Sequence, residues 1–151
     1  MKKLSAKSTF NKIIFPTVWF GFILIALYFT VFTPKGFQVF PFIAIIGMAV
    51  FGFYLFKHMV WDLVDEAWES SDQLIFKKGK VTESIEFSNI KNISYTHLSN
   101  PERVTISLRE PGKLGSEISF TPKRKNHIIS LYGKNKLVMD LIDRVDYARK
   151  S

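Results

Sequence analysis

Positions 13 to 33, IIFPTVWFGFILIALYFTVFT, and positions 37 to 56, FQVFPFIAIIGMAVFGFYLF, contain no charged side chain. At about 1.5 Å of rise per helical residue, each run is long enough to cross a hydrocarbon layer of about 30 Å. Pro16 and Pro41 fall in the first turn of each run, where a missing amide proton costs least. Only Pro34-Lys35-Gly36 separates the two. So short a link forces a helical hairpin whose outer ends lie on one side. The first run is longer than the about 7 to 15 apolar residues of a secretory leader, and no small-x-small cleavage site comes after it. A retained anchor is therefore expected, since the domain beyond the second run is too small to bury two such helices. Gly47 and Gly52, with Ala44 and Ala49, are read as packing positions inside the hairpin, because their spacing is not that of a GxxxG pair.

Charge is distributed to match. All 13 acidic residues lie from Asp62 onward, and twelve of the 15 phenylalanines lie between Phe10 and Phe56. The net charge of +8 is concentrated at the front: residues 1 to 36 hold five lysines and no acid, whereas the chain from Lys57 onward holds 16 basic and 13 acidic residues. A nucleic-acid binder carries its excess charge on the folded domain, so nucleic acid is not expected as a partner. Lys2, Lys3, Lys7 and Lys12 precede the first run and Lys57 follows the second, while the turn holds only Lys35. The positive-inside rule then predicts a multi-pass protein of the cytoplasmic (inner) membrane with both termini in the cytoplasm. With no ionisable residue inside either span, a transport route is not expected. There is no cysteine, which removes disulfides, thiolate metal sites and cysteine nucleophiles together.

Beyond Trp61 the pattern shortens to period two. QLIFKKG ends at a glycine; VTESIEF puts Ile85 and Phe87 on one face, and NISYTHL does the same with Ile93 and Tyr95. RVTISLR sets Val104, Ile106 and Leu108 against Thr105, Ser107 and Arg109, and EISFTP repeats the scheme with Ile118 and Phe120. Such alternation, bounded by Gly, Pro, Asn and Ser, marks half-buried antiparallel strands. In NKLVMDLIDRVDYARK, Val138, Leu141, Ile142 and Val145 recur at helical spacing, and Asp140 and Arg144 form an i,i+4 pair. The domains predicted are a basic tail at 1–12, a membrane hairpin at 13–56 and a soluble domain at 57–151.

Strands closed by one C-terminal helix outline a pleckstrin-homology-like (PH-like) barrel. DLVDEAWESSDQLIFKKGK, IEFSNIKNISYTHLSNPERVTISL and ISFTP resemble bacterial PH-like domain membrane proteins with a short N-terminal transmembrane hairpin. The resemblance covers nearly the whole chain and is most specific in the NPERVT stretch. It implies a membrane-anchored α+β protein, with the hairpin followed by an antiparallel barrel capped by a helix. It also makes VWDLVDEAWE the first strand, although periodicity alone lets the second helix run on through Val64 and Trp68. That group is largely without assigned activity, so the resemblance implies no catalytic residue.

Asp62, Asp65, Glu66 and Glu69 alternate faces without histidine partners or an EF-hand glycine, and are read as a solvated strand rather than a metal site. His58, His97 and His127 are far apart in sequence and are read as surface residues. No P-loop, GxSxG, HExxH or dinucleotide fingerprint occurs, so neither an enzyme nor a cofactor is expected. Two basic groups remain. Lys77, Lys78 and Lys80 surround one turn, and Lys123, Arg124 and Lys125 follow a strand; both are candidate contacts for anionic lipid headgroups. The expectation is an interaction module that binds or regulates a protein partner, or self-associates, at the membrane. The alternative is a peripheral sensor of anionic lipid.

Overall fold

The computed structural model describes residues 1–8, 10–99, 101–124 and 133–150. The chain divides into two compact units, one made of Thr9–Asp62 and the other of Met1–Ser8 with Leu63–Ser151.

The first unit holds the two helices that the uncharged runs predict. Helix α1 (Phe15–Val31) follows a π-helical turn at Phe10–Ile14, and α2 spans Val39–Met59. The turn is longer than three residues, and Gly36, at φ 79°, lets its N–H reach the Thr33 carbonyl (3.0 Å). Pro16 stands in the first turn of α1, as its missing donor requires. Phe56 is buried in a nest of rings, with Phe15, Phe20 and Trp61 at centroid distances of 5.6, 6.1 and 6.2 Å. Gly52 is the contact position: a Cβ there would stand 2.4 Å from the Trp19 indole nitrogen, so only glycine lets that ring lie on α2. Gly47 has open space around it. Phe22, Leu24, Phe29, Phe40 and Phe51 point outward and are exposed. The helical segments Asn11–Val31 and Val39–Met59, 21 residues each, are long and apolar enough to cross a membrane.

The second unit is α+β. Antiparallel strands β1 (Lys2–Lys3), β2 (Glu66–Ser70), β3 (Gln73–Lys78) and β4 (Val81–Glu86) form one sheet in that order. A 3₁₀ turn at Phe87–Asn89 carries the chain into a second antiparallel sheet of β5 (Ile90–Thr96), β6 (Arg103–Gly112) and β7 (Gly115–Phe120). Helix α3 (Lys136–Lys150) is the last element among the described residues. Its first turn is capped by Asn135, whose side-chain oxygen accepts the Leu137 N–H (3.1 Å). The alternating residues face inward as their period requires. Leu74, Phe76, Ile85, Ile106, Ile118 and Phe120 meet Val138, Leu141 and Val145 of α3 in one core, and Phe76 and Phe120 join the two sheets at a centroid distance of 6.1 Å.

Two features depart from the sequence expectation. The first is the N-terminal segment, expected as a tail over 1–12. Lys2 and Lys3 pair with Glu69 and Trp68, so the strand before the helices and the strand after them are neighbours. Leu4 is completely buried; its N–H donates to the Ala67 carbonyl (2.9 Å) and its carbonyl accepts from Lys123 N–H (2.7 Å). Ala6 N–H donates to the Thr121 carbonyl (2.9 Å), and Ser5 bridges Pro122. Residues 2–6 thus stitch the two sheets together along one side.

The second departure is the barrel, which does not close. The 3₁₀ turn redirects the chain, so β4 and β5 do not pair, and two side chains hold that side instead. Glu83 accepts the Lys113 and Leu114 N–H groups (2.7 and 2.8 Å). Asn89 accepts the Glu110 N–H (2.9 Å) and donates to the Glu110 carbonyl (3.2 Å). Strand structure in VWDLVDEAWE begins at Glu66, and α2 stops at Met59.

Truncating Leu4 removes a core side chain rather than trimming a tail. Leu4→Ala is expected to destabilise the strand unit by about 2–4 kcal/mol, while exposed Lys7→Ala stays within about 0.5 kcal/mol. Urea unfolding of the full chain in micelles, followed by far-UV circular dichroism, measures both.

Candidate functional site

The structure separates the two basic groups and gives them different work. Lys123 and Arg124 follow β7. Arg124 forms an ion pair with Glu102, whose side chain is one-tenth exposed. Glu102 also accepts a hydrogen bond from the Tyr95 hydroxyl (3.2 Å), and that hydroxyl in turn accepts the Asn135 N–H (3.2 Å). The Asn135 side chain donates to the Lys123 carbonyl (3.2 Å). This chain of contacts fixes the start of α3 to β5 and to the end of β7. Arg124 is therefore a structural counter-charge. Lys123 keeps an exposed side chain on a backbone pinned by Leu4. Lys125 and His127 lie outside the described residues.

Lys77, Lys78 and Lys80 form a compact group around the β3–β4 turn. Gly79, at φ 58°, makes the turn, and Lys78 and Val81 face each other across it. Lys77 and Lys80 are exposed and Lys78 is half-buried. The turn is bolted to the chain just after the helices. Asp65 N–H donates to the Lys77 carbonyl (2.8 Å), and the Asp65 carboxylate accepts the Gly79 N–H (2.6 Å).

The acidic residues are not a merely solvated strand. Asp65 organises this turn; Glu66 binds Lys3 (2.5 Å); Glu69 is buried and accepts from Arg144 of α3 (3.1 Å). Arg144 also makes the expected i,i+4 pair with Asp140 (2.8 Å). Asp62 belongs to the helical unit. His58 lies in the last turn of α2, and His97 follows β5 with its ring 6.0 Å from that of Tyr95.

One feature had no sequence signal. Along the unpaired edge of β4 runs an open slot of about 470 Å³, lined by Glu83, Ser84, Ile85 and Glu86 on one side and by Ser88, Asn89, Arg109 and Glu110 on the other. Glu86 and Glu110 form no ion pair among the described residues, whereas Glu83 is held by the backbone of the β6–β7 turn. That hold needs Gly112, because a Cβ there would stand 1.9 Å from the Glu83 carboxylate. The slot exists because the barrel fails to close, and period-two patterning cannot report which strands pair.

Compared with models of protein families, with curated proteins and with solved structures, the chain has no match in any of the three.

Burial, and then the nearby Glu102 charge, raise the Tyr95 hydroxyl above its ordinary value of 10.0, against a lowering effect of the Asn135 N–H. A raised folded-state pKa gives stability that is intact below about pH 10 and lost as pH rises through the folded value. Alkaline titration is expected to loosen the start of α3, and Tyr95→Phe to remove that step, as read from amide spectra of residues 136–139. At neutral pH, Arg124→Leu leaves Glu102 without its counter-charge and is expected to cost about 1–3 kcal/mol. Lys123→Ala should stay within about 0.5 kcal/mol.

Proposed function

We propose that this chain is a membrane-anchored interaction module without catalytic groups. In this reading α1 and α2 cross the cytoplasmic membrane as a U-shaped pair. Both termini and a PH-like domain face the cytoplasm, and the domain docks a segment of a protein partner in a membrane complex. Support for the anchoring comes from the outward-facing phenylalanines and leucines of the helices, since a surface of that kind is not stable in water. Support for the topology comes from the sheet. Because Lys2 and Lys3 pair with Glu69 and Trp68, the chain leaves one folded body for the helices and returns to the same body. Two crossings bring a chain back to the side it left; one does not. The resemblance to PH-like proteins rests on two antiparallel sheets with a C-terminal helix over their shared core.

The observation that carries the docking role is the free edge of β4 beside its slot. An unpaired edge presents backbone donors and acceptors at strand spacing, the means by which extended peptides add to a sheet. Glu86 and Glu110 give that edge a negative lining on a chain of net charge +8, so the matching segment is extended and carries lysine or arginine. Tethering at a membrane raises the effective concentration of a weak contact of this kind.

Two measurements test the reading. In sealed vesicles, a membrane-impermeant maleimide is expected to reach Lys35→Cys from one side only, and Lys2→Cys and Lys150→Cys only from the other. Labelling of positions 2 and 150 from opposite sides contradicts the anchoring. A photo-crosslinking residue at Ser84 is expected to capture a polypeptide in native membranes, and Glu86→Lys with Glu110→Lys to abolish the capture. Equal capture from a control position at exposed Ser116 contradicts the docking edge.

A further inference from the structure

We propose that the segment docked at β4 is the β4 edge of a second copy of this chain, the two strands antiparallel about a two-fold axis at Glu83. This rests on the reading of β4 as a docking edge and names its partner. Hydrogen bonding fixes which residues can take part. Phe87 N–H donates to the Asp72 carbonyl (3.0 Å), and Lys78 and Val81 pair on the same register across the two-residue turn. Backbone groups alternate in direction along an antiparallel strand. Val81, Glu83 and Ile85 therefore bond β3, while Thr82, Ser84 and Glu86 turn their N–H and carbonyl groups outward. All three of these residues are exposed. A second β4 running antiparallel can pair with this edge only in registers that set outward residues against outward residues.

One such register matches nearly every position. The edge reads Lys80-Val81-Thr82-Glu83-Ser84-Ile85-Glu86, and read backwards it repeats the same chemistry. With Glu83 on the axis, Lys80 meets Glu86 of the second copy, Val81 meets Ile85 and Thr82 meets Ser84, each pair formed twice. Opposite charges, β-branched pairs and hydroxyl pairs are the cross-strand neighbours that stabilise a sheet. A shift of two residues one way sets Glu86 against Thr82, and the other way sets Lys80 against Ser84. Either shift loses the Lys80–Glu86 pairs. Glu86 accepts the Ser88 hydroxyl (3.1 Å), but neither Glu86 nor the exposed Lys80 forms an ion pair among the described residues. Val81 is one of the few large apolar side chains of the strand unit left exposed. The single like-charge row is Glu83 against Glu83, and each of those carboxylates already accepts two N–H groups of its own β6–β7 turn (2.7 and 2.8 Å). The acidic lining thus finds its counter-charge in Lys80. A two-fold contact of this kind uses the same patch on both copies and closes on itself. With six residues in β4 the contact is short, and tethering both copies in one membrane raises its occupancy.

The absence of cysteine permits the test on the full chain in lipid vesicles. Two differently tagged chains, one with Thr82→Cys and one with Ser84→Cys, are reconstituted together and treated with a short thiol crosslinker. The mixed product is expected to exceed either like-with-like product several-fold, since Thr82 faces Ser84 and not itself. Lys80→Glu, or Glu86→Lys, placed in both chains should cut the mixed product several-fold. Lys80→Glu in one chain with Glu86→Lys in the other should restore it, because each reversed charge then meets an opposite one. A folding defect in either chain is not cured by mixing, so restoration reports the pairing itself. No product, an excess of the Ser84–Ser84 product, or a loss that the mixture does not restore overturns the self-pairing. Where the crosslinking residue at Ser84 captures a different polypeptide in native membranes and the vesicles give no product, the second copy is overturned and the docking edge stands. Where neither captures anything, both fall.

Discussion

Everything in the strand unit depends on a hydrogen-bonded seam made by residues that precede the apolar helices. Leu4 gives its N–H to Ala67 in one sheet and its carbonyl to Lys123 beyond the last strand of the other. Its side chain is sealed into the shared core. Without this segment, β2 has a bare edge, the two sheets lose their link on that side, and a leucine-sized hole opens between them. The residues that a sequence reading assigns to a loose basic tail are thus a structural part of the domain whose other strands follow the helices in the chain.

A set of ion pairs locks the seam from outside. Lys3 binds Glu66 (2.5 Å) and lies over the Trp68 ring, 4.9 Å from its centroid. Lys2 reaches Asp140 (3.6 Å), Asp140 binds Arg144, and Arg144 reaches the buried Glu69 opposite Lys2. The first strand, the second strand and the last helix are therefore tied through alternating charges. Exposed pairs such as Lys2–Asp140 are worth little singly. Glu69 is different, because its carboxylate is out of water and requires Arg144. Charge on the N-terminal lysines thus serves the strand unit directly, as well as any effect it has at a membrane.

The parts of the fold that bury large apolar faces were readable from the chain. Two uncharged runs became helices, Val104, Ile106 and Leu108 point inward as their alternation requires, and Val138, Leu141 and Val145 lie under α3. Three things were not readable, each for a physical reason. A two-residue strand of lysines has no period and looks like solvent-exposed chain; Leu4 is its only apolar clue. Closure of a barrel depends on which edges meet, and a 3₁₀ turn of ordinary composition at Phe87–Asn89 decides that here. The fate of a carboxylate depends on what stands opposite it, so Glu69 and Asp65 looked alike in sequence although one is buried under a helix and the other shapes a turn. Of the candidate lipid contacts, both groups were visible as runs of charge, but only the fold separates Arg124, committed to Glu102, from the exposed Lys77 and Lys80 at the β3–β4 turn.

In the proposed function, this architecture makes anchor and domain inseparable, since the domain is completed by chain on both sides of the hairpin. The most direct test is the hydrogen-exchange rate of the Leu4 amide in the intact protein in lipid discs. Slow exchange is expected, with Leu4 opening together with the amides of Ala67 and Lys123 as one cooperative unit. Exchange of Leu4 at the rate of free chain, while β3 stays protected, would contradict the seam and the inseparability built on it.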